Sequence, residues 1–251
     1  THGIAWFPQY VNKDAFQTLR DNYGINTIRL AMYTNKSEGY GPDAVNKVRE
    51  GVKYATELGM YVIIDWHILN DGNPNQHKSE AKKFFTKMSK KYGGQKNVIY
   101  EICNEPNGNV TWNKQIKPYA KTIVKTIRKH SKNAVIVIGT PTWSQDVDVV
   151  AQSPLKGKNL MYALHFYAGT HKKWNQEKLK TAHKKGLPVM VTEFSICDAS
   201  GNGALDKASG NQWLRLLDRY NISYTAWSLC NKNESSALIA STCSKTSGWT
   251  N

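Results

Sequence analysis

Short β-rich runs alternating with stretches of helical period predict an α/β fold, a TIM-type (β/α)8 barrel of parallel strands wrapped by helices. Three observations carry this expectation. The runs are apolar on both faces, as strands covered on both sides by helices must be. Seven such units favour a closed ring over an open doubly wound sheet, and no Gly-x-Gly-x-x-Gly follows the first run to suggest a dinucleotide fold. Polar side chains gather at the C-terminal ends of the runs, the rim where parallel barrels build their sites.

The elements follow in order. A helical stretch at 13–22 leads into INTIRLAMY (25–33). A helix at 43–58, ended by Gly59, precedes MYVIIDWH (60–67). A helix at 79–92, ended by Gly93, precedes NVIYEICNE (97–105), and one at 112–132 precedes AVIVIGT (134–140). LMYALHFY (160–167), a helix at 174–185 ended by Gly186, PVMVTEF (188–194), a helix at 208–220 and SYTAWSL (223–229) complete the series. Glycine just past a helix is the expected left-handed cap. Of an eighth strand, placed first, only the exit Thr1-His2-Gly3 is visible, and the tail after Trp249 leaves no room for a closing helix. The expectation is one barrel domain over 1–251, lacking the body of its first strand and its last helix; a ring missing both would stay open.

Composition bounds the partners. Hydrophobic residues make up 40% of the 251 positions and eight are Trp, which argues for a folded globule. No apolar run reaches bilayer-spanning length, so no membrane association is expected. The opening THGIAWFPQY has no basic head followed by a long apolar stretch, so no signal peptide is expected within it. A net charge of +15 raises nucleic acid as a partner. The lysines of SEAKKFFTKMSKKY and KPYAKTIVKTIRKHSK, however, fall opposite the apolar positions, where a solvated helix puts them. With no RNA-binding signature beside them, no nucleic-acid partner is expected. Cys103, Cys197, Cys230 and Cys243 show no CxxC spacing, against a zinc site; Cys230 and Cys243 could pair only in an exported protein.

The chemistry lies at the strand ends. Arg29 and Tyr33 fall late in the first run, His67 ends the second and Asn104-Glu105 the third. Thr140 ends the fourth with Trp143 just beyond, His165 and Tyr167 close the fifth, Glu193 the sixth and Trp227 the seventh. Strict alternation puts Glu101, Cys103 and Glu105 on one face of the third run and Tyr100, Ile102 and Asn104 on the other. Glu101 then lies roughly 13 Å deeper than Glu105, at about 3.3 Å per residue, and must be paired or protonated. It reads as a structural network residue, with Arg29 serving either it or the rim.

Glu105 and Glu193 come from strands three steps apart, so their carboxyls can face each other over a cleft. Such a pair suits retaining glycoside hydrolysis, with one carboxylate attacking the anomeric carbon and the other protonating the leaving oxygen. Residue chemistry alone leaves open which does which, and two solvated loop acids are the blander reading. Asn104 can bond a sugar 2-hydroxyl, Arg29 and Tyr167 can hold an ionised nucleophile, and His67 and His165 can orient hydroxyls or tune the acid. A metal shared by the histidines and glutamates is the rival, but no HxH or HExxH supports it. Trp66 should pack between sheet and helices and Trp213 within a helix face. Trp6, Trp143 and Trp227, at strand exits, could stack on sugar rings or belong to the core.

At this point a family resemblance is plain. The segments IRLAMY, YVIIDWHI, VIYEICNEPNG, IGTPTWSQDV, YALHFYAGTH, VTEFSICDASGNGALD and AWSLCNKNESSA together resemble bacterial endoglucanases of glycoside hydrolase family 5. The closest group is the cellulase subfamily with Asp-Trp-His and Asp-Ala-Ser-Gly-Asn-Gly signatures. The resemblance runs in order through nearly the whole chain. It implies an eight-stranded barrel cleaving internal β-1,4-glucosidic bonds with retention, with Glu105 as acid/base and Glu193 as nucleophile. It implies Arg29, His67, Asn104, His165 and Tyr167 around the scissile bond. It lines the glucan cleft with His2, Trp6, Tyr33, Trp143, Ala199, Trp227, Lys232 and Glu234. No cofactor or catalytic metal is implied, and the enzyme is expected to be a secreted monomer acting on a β-1,4-glucan. Ser195 departs from the pattern, standing where the family usually has Gly. Activity on mannan, mixed-linkage β-glucan or xyloglucan, or binding without cleavage, are the alternatives.

Overall fold

The computed structural model describes the backbone of residues 2–4 and the chain from 8 to 250. The His2 side chain and Trp6, both candidate cleft groups, lie outside the described residues. Eight parallel strands form a closed ring in chain order. They are β1 (His2–Ile4), β2 (Thr27–Tyr33), β3 (Tyr61–His67), β4 (Val98–Glu101), β5 (Val135–Ile138), β6 (Leu160–Tyr167), β7 (Val189–Ser195) and β8 (Tyr224–Ala226). The ring therefore does not stay open. Strand β1 has only three residues, yet it pairs with β2 along its length and with β8 at His2↔Ala226.

The helices are α1 (Lys13–Tyr23), α2 (Pro42–Glu57), α3 (Lys78–Tyr92), α4 (Lys117–Arg128), α5 (Pro141–Ser144), α6 (Val147–Val150), α7 (Lys173–Lys184) and α8 (Lys207–Arg219). Their starts follow local chemistry: Asn12 caps α1 by accepting the Ala15 N–H at 2.7 Å, and Asp206 caps α8 through Ser209 N–H at 2.8 Å. The stretch expected as one helix over 112–132 divides. A π-helical turn, Trp112–Ile116, precedes α4, whose second residue is Pro118; lacking an N–H, it sits where a helix needs none. The short α5 and α6 were not expected. No helix follows β8 among the described residues, and no helix there is long and apolar enough to cross a membrane.

Gly59 and Gly186 take the left-handed conformation expected after a helix, at φ 68° and 74°. Gly93 does not: its φ is −59°, in the right-handed region. It is glycine because of crowding, since a Cβ there would lie 2.2 Å from the His130 carbonyl oxygen.

Two apolar clusters divide the interior. The larger lies between sheet and helices and contains Trp66, tilted against Phe84 and Phe85, and Trp213, stacked on Phe166 at 4.1 Å between ring centroids. The smaller, Ile63, Val137, Ala163 and Met190 with Ile99, Val135 and Met161 against it, shares the inward strand face of Arg29, Asp65 and Glu101. The barrel axis thus carries an apolar plug and a charged layer. All four cysteines are free thiols, Cys230 and Cys243 included.

Candidate active site

Arg29 is the hub of the charged layer and has no exposed surface. Its Nε and Nη2 donate to the two oxygens of Glu101 at 2.8 and 3.0 Å. Nη2 also donates to Asn104 Oδ1 at 2.6 Å and lies 2.9 Å from Asp65 Oδ2, while Nη1 donates to Glu193 Oε2 at 2.9 Å. Arg29 thus serves both the deep acid and the rim. A single guanidinium cannot neutralise three buried carboxylates, and the surplus negative charge acts on its neighbours. Burial pushes Asp65 up to about 6, with Glu101 adding to it against Arg29 and His67. Burial would lower His165, but the Glu101 carboxylate 3.7 Å away, the hydrogen bond to Glu105 and the Glu193 charge raise it to about 9. Burial would raise Glu101, and Arg29 with His165 instead hold it at about 2.

The two rim glutamates differ. Glu193, on β7, accepts from Arg29 and, at 2.7 Å, from the Tyr167 hydroxyl. Burial opposes its ionisation, but the charges of His165, Arg29 and His67 and the Tyr167 bond keep it below the usual range. Among the described residues, Glu105 has one side-chain hydrogen-bond partner, His165 Nδ1 at 2.9 Å. Burial and then the Glu193 charge raise it, with His165 pulling the other way. Tyr167 is itself raised far above its ordinary value by burial and the two glutamates, so it remains a donor.

Strand irregularities bring these groups together. The β6–β7 and β7–β8 registers shift near Glu193, so both Thr192 and Glu193 face inward, as a bulge allows. Thr192 Oγ1 donates to Glu101 at 2.8 Å and so accepts from His165 Nε2, also at 2.8 Å. Strand β4 ends at Glu101, short of the expected 105. Beyond it the alternation fails, and Asn104 and Glu105, expected on opposite faces, both turn toward the mouth. Asn104 is fully buried, giving its oxygen to Arg29 and its amide to Ile68 O at 2.9 Å, with His67 Nε2 at 3.4 Å. His67 Nδ1 bonds Asp65 Oδ2 at 2.6 Å, and its ring lies parallel to Trp227 at 5.3 Å and edge-on to Tyr33 at 4.7 Å.

Above this layer opens a cleft of about 500 Å³. Its walls include the expected Tyr33, His67, Glu105, Trp143, His165, Tyr167, Glu193, Ala199, Trp227, Lys232 and Glu234, whereas Arg29 and Asn104 lie behind them. Trp143 is 45% exposed, on a turn where Thr142, Trp143 and Ser144 have φ of 56°, 53° and 57°. Three consecutive left-handed non-glycine residues cost roughly 1–2 kcal/mol each, strain that surrounding contacts must hold. Five wall residues were not singled out from sequence: Leu69, Gln145, His171, Ser200 and Gly201. The buried Asp65 and Thr192 were not either. Asp65 could have been found, since it lies two positions before His67 on the same strand face; the loop residues offer no such periodic signal. His171 Nδ1 accepts the Tyr167 backbone N–H at 2.8 Å, and burial, followed by the Lys178 charge, lowers its pKa to about 4, so it stays neutral. Ser195, the departure from the pattern, is buried with its hydroxyl 3.3 Å from Cys197 Sγ.

One oxygen of Glu105, one of Glu193 and a ring nitrogen of His165 lie within 4.8 Å of one another, a spacing at which a cation could be held. Those donors already bond one another, Thr192, Tyr167 and Arg29, and the adjacent guanidinium opposes a further positive charge.

Comparison with known proteins agrees with this arrangement. A family model, Cellulase (glycosyl hydrolase family 5), matches residues 1–233. The chain is 49% identical over 253 residues to an endoglucanase of Clostridium saccharobutylicum, covering 100% of this chain and 56% of that protein. It is 48% identical over 252 residues to Endoglucanase 5 of Pectobacterium carotovorum subsp. carotovorum, covering 100% of this chain and 50% of that one. The chain thus spans about half the length of the curated relatives it matches. Among solved structures, the catalytic domain of Thermobifida fusca endoglucanase Cel5A in complex with cellotetraose superposes with a TM-score of 0.92 at 32% identity, covering 100% of this chain and 85% of that one. A structure from Cytophaga hutchinsonii gives 0.94 at 38% identity, covering 100% and 82%. With a barrel of this topology, two rim glutamates over a charged layer and a match over residues 1–233, the chain belongs to glycosyl hydrolase family 5.

Proposed function

We propose that residues 1–251 form the catalytic domain of a retaining endo-β-1,4-glucanase. The observation that carries the mechanism is the approach of Glu105 and Glu193, each with an oxygen within 4.8 Å of the other's. Retaining enzymes hold their carboxyl groups about 5–5.5 Å apart and inverting ones about 6.5–9.5 Å, to admit a water. The opposed electrostatics support the division of roles, because groups whose surroundings push their pKa values apart divide into acid and base. Glu193, favoured as the carboxylate, attacks the anomeric carbon as the C1–O bond breaks. Glu105, favoured as the neutral acid, gives its proton to the departing oxygen. In the second half, Glu105 takes a proton from water as the water oxygen attacks C1 and Glu193 leaves. Tyr167 and Arg29 hold Glu193, and His165 orients Glu105.

The β-glucan substrate class is supported by the relatives' names, by the cellotetraose bound to the Thermobifida protein, and by the aromatic groups Tyr33, Trp143 and Trp227 along the cleft. A polymeric glucan does not cross a cell membrane, so the enzyme is placed outside the cell. Reducing-sugar release from carboxymethylcellulose, mannan, mixed-linkage glucan and xyloglucan tests the substrate, and activity on mannan alone would overturn it. Proton NMR of the first product formed tests the stereochemistry: β-anomer is expected, and initial α-anomer would sink the retaining mechanism.

A further inference from the structure

The strained turn beside Trp143 does more than present an indole. The three peptide carbonyls centred on Glu105 are each held by a hydrogen bond. Ser144 Oγ donates to Asn104 O at 2.6 Å, Asn107 Nδ2 donates to Glu105 O at 2.8 Å, and the Trp143 N–H donates to Pro106 O at 3.0 Å. Two of the three therefore come from the turn after β5, and they grip the carbonyls on either side of the glutamate. The segment has left its strand by this point; its amides still reach the β3 side, Asn104 N–H donating to Trp66 O and Asn107 N–H to Gly72 O at 3.1 Å each, while the turn after β5 takes carbonyls on its other edge. The same backbone presses on Gly139, where a Cβ would stand 1.9 Å from Cys103 O and 2.8 Å from Pro106 Cδ.

The turn is in turn braced from outside. Ser144 Oγ also accepts the Thr140 N–H at 3.2 Å, and Thr142 Oγ1 donates to Asp146 Oδ2 at 2.6 Å. Lys178, on α7, donates to the other oxygen of Asp146 at 2.6 Å. The left-handed backbone at 142–144 aims the Trp143 N–H and the Ser144 hydroxyl at the same neighbouring segment, contacts that can hold strain at three residues that are not glycine.

We infer that Ser144 is a positioning residue for the acid/base, holding the Glu105 backbone so that its carboxyl stands beside the leaving oxygen. This rests on the roles proposed above. A displacement of about 1 Å at a catalytic group is enough to cost roughly 10²-fold. The requirement should be confined to bonds whose leaving group needs a proton.

The test compares kcat/KM, which reports bond cleavage in the first half-reaction, on cellotetraose and on 2,4-dinitrophenyl β-cellobioside, whose phenolate departs unprotonated. Ser144→Gly removes the hydroxyl yet favours the left-handed conformation, so it keeps the turn; its melting temperature checks the fold. Glu105→Ala is the reference, expected to lose about 10²–10⁴-fold on cellotetraose and little on the activated substrate. Ser144→Gly should show the same split at about tenfold or more on cellotetraose. Equal losses on both substrates, or none, in Ser144→Gly while Glu105→Ala shows the split would overturn the inference alone. Equal losses in Glu105→Ala would overturn the assignment of Glu105 and the inference with it.

Discussion

The exits of β4 and β7 both carry a buried glutamate, and what surrounds each is opposite in kind. At β7, Glu193 is met by a guanidinium, a phenol and the field of two histidines, all of which favour its charge. At β4, Glu105 has one imidazole partner and faces the charge of Glu193. The difference is created by position. Bulging at β7 turns Glu193 down toward the Arg29 layer, whereas β4 stops at Glu101 and leaves Glu105 higher, over the cleft. Two chemically identical side chains are made unequal by where the strand ends.

Breaking the β7 side outright has the largest expected effect. Glu193→Ala should lower turnover by roughly 10⁴-fold or more, the scale seen when a covalent nucleophile is removed. Affinity for cellotetraose should survive, because most of the cleft wall remains; calorimetric binding beside reducing-sugar assays checks both. Retained hydrolysis would sink the nucleophile assignment. Next comes Arg29→Met, which strands Asp65, Glu101 and Glu193 without their guanidinium. Removing one partner from a buried ion pair costs about 3–5 kcal/mol. The sign with pH is fixed by Glu101. Its folded pKa of about 2 lies below the unfolded value of roughly 4.3, so the stability it contributes is full above roughly pH 4.3 and is lost as pH falls through about 2. The deficit of Arg29→Met should therefore be largest near neutrality and shrink in acid. Urea unfolding at pH 7 and pH 3 checks this; an equal deficit at both would show that packing rather than charge is what Arg29 supplies.

The same contrast explains how far the sequence could be read. Apolar runs of strand length and helical periodicity made the barrel visible, and alternation placed Glu101 below the rim with Arg29 as a candidate partner. Alternation failed where the backbone stops being regular. It put Asn104 on the wrong side of Glu105, because the strand ends four residues earlier than the run of β-forming residues suggests. It gave no hint of Thr192, which faces inward only through a bulge. Ser144 ends the one left-handed turn of α5 and His171 lies on a loop, where no period exists, and their roles arise from contacts with the exits of β4 and β6. The order of the two glutamates came from resemblance at the sequence level. The burial and charge that distinguish them depend on contacts between β2, β4, β6 and β7, which are far apart in the chain.

A smaller perturbation sharpens the contrast without abolishing it. His165 touches both exits, bonding Glu105 directly and lowering Glu193 through its charge. It also lowers Glu105, against burial. In His165→Gln both acids lose that influence, so both limbs of the kcat/KM profile should move to higher pH, with kcat falling by about tenfold. Stability gives a second sign. His165 is raised to about 9 from an unfolded value of about 6.5, so its contribution is full below about 6.5 and is lost as pH rises through about 9. The decline in melting temperature over that window should flatten in the variant. Limbs that stay where they are would mean that His165 acts as a neutral spacer.

Trp143→Ala should have the smallest effect, and it separates two functions of one turn. The indole is nearly half exposed over the cleft, and its contribution is stacking, worth about 0.5–1.5 kcal/mol, or up to about tenfold in KM. The backbone N–H that holds Pro106 O survives the substitution, as does the Ser144 hydroxyl on Asn104 O. Glu105 should therefore keep its place, and the loss should fall on KM for long glucans while the dependence on leaving group stays that of the parent enzyme. If kcat/KM fell well beyond about tenfold on cellotetraose but stayed unchanged on the dinitrophenyl glycoside, the indole itself would be needed to hold the left-handed turn. The β4 exit would then depend on a cleft side chain for its geometry, and sugar stacking on Trp143 would be coupled to the placement of the acid.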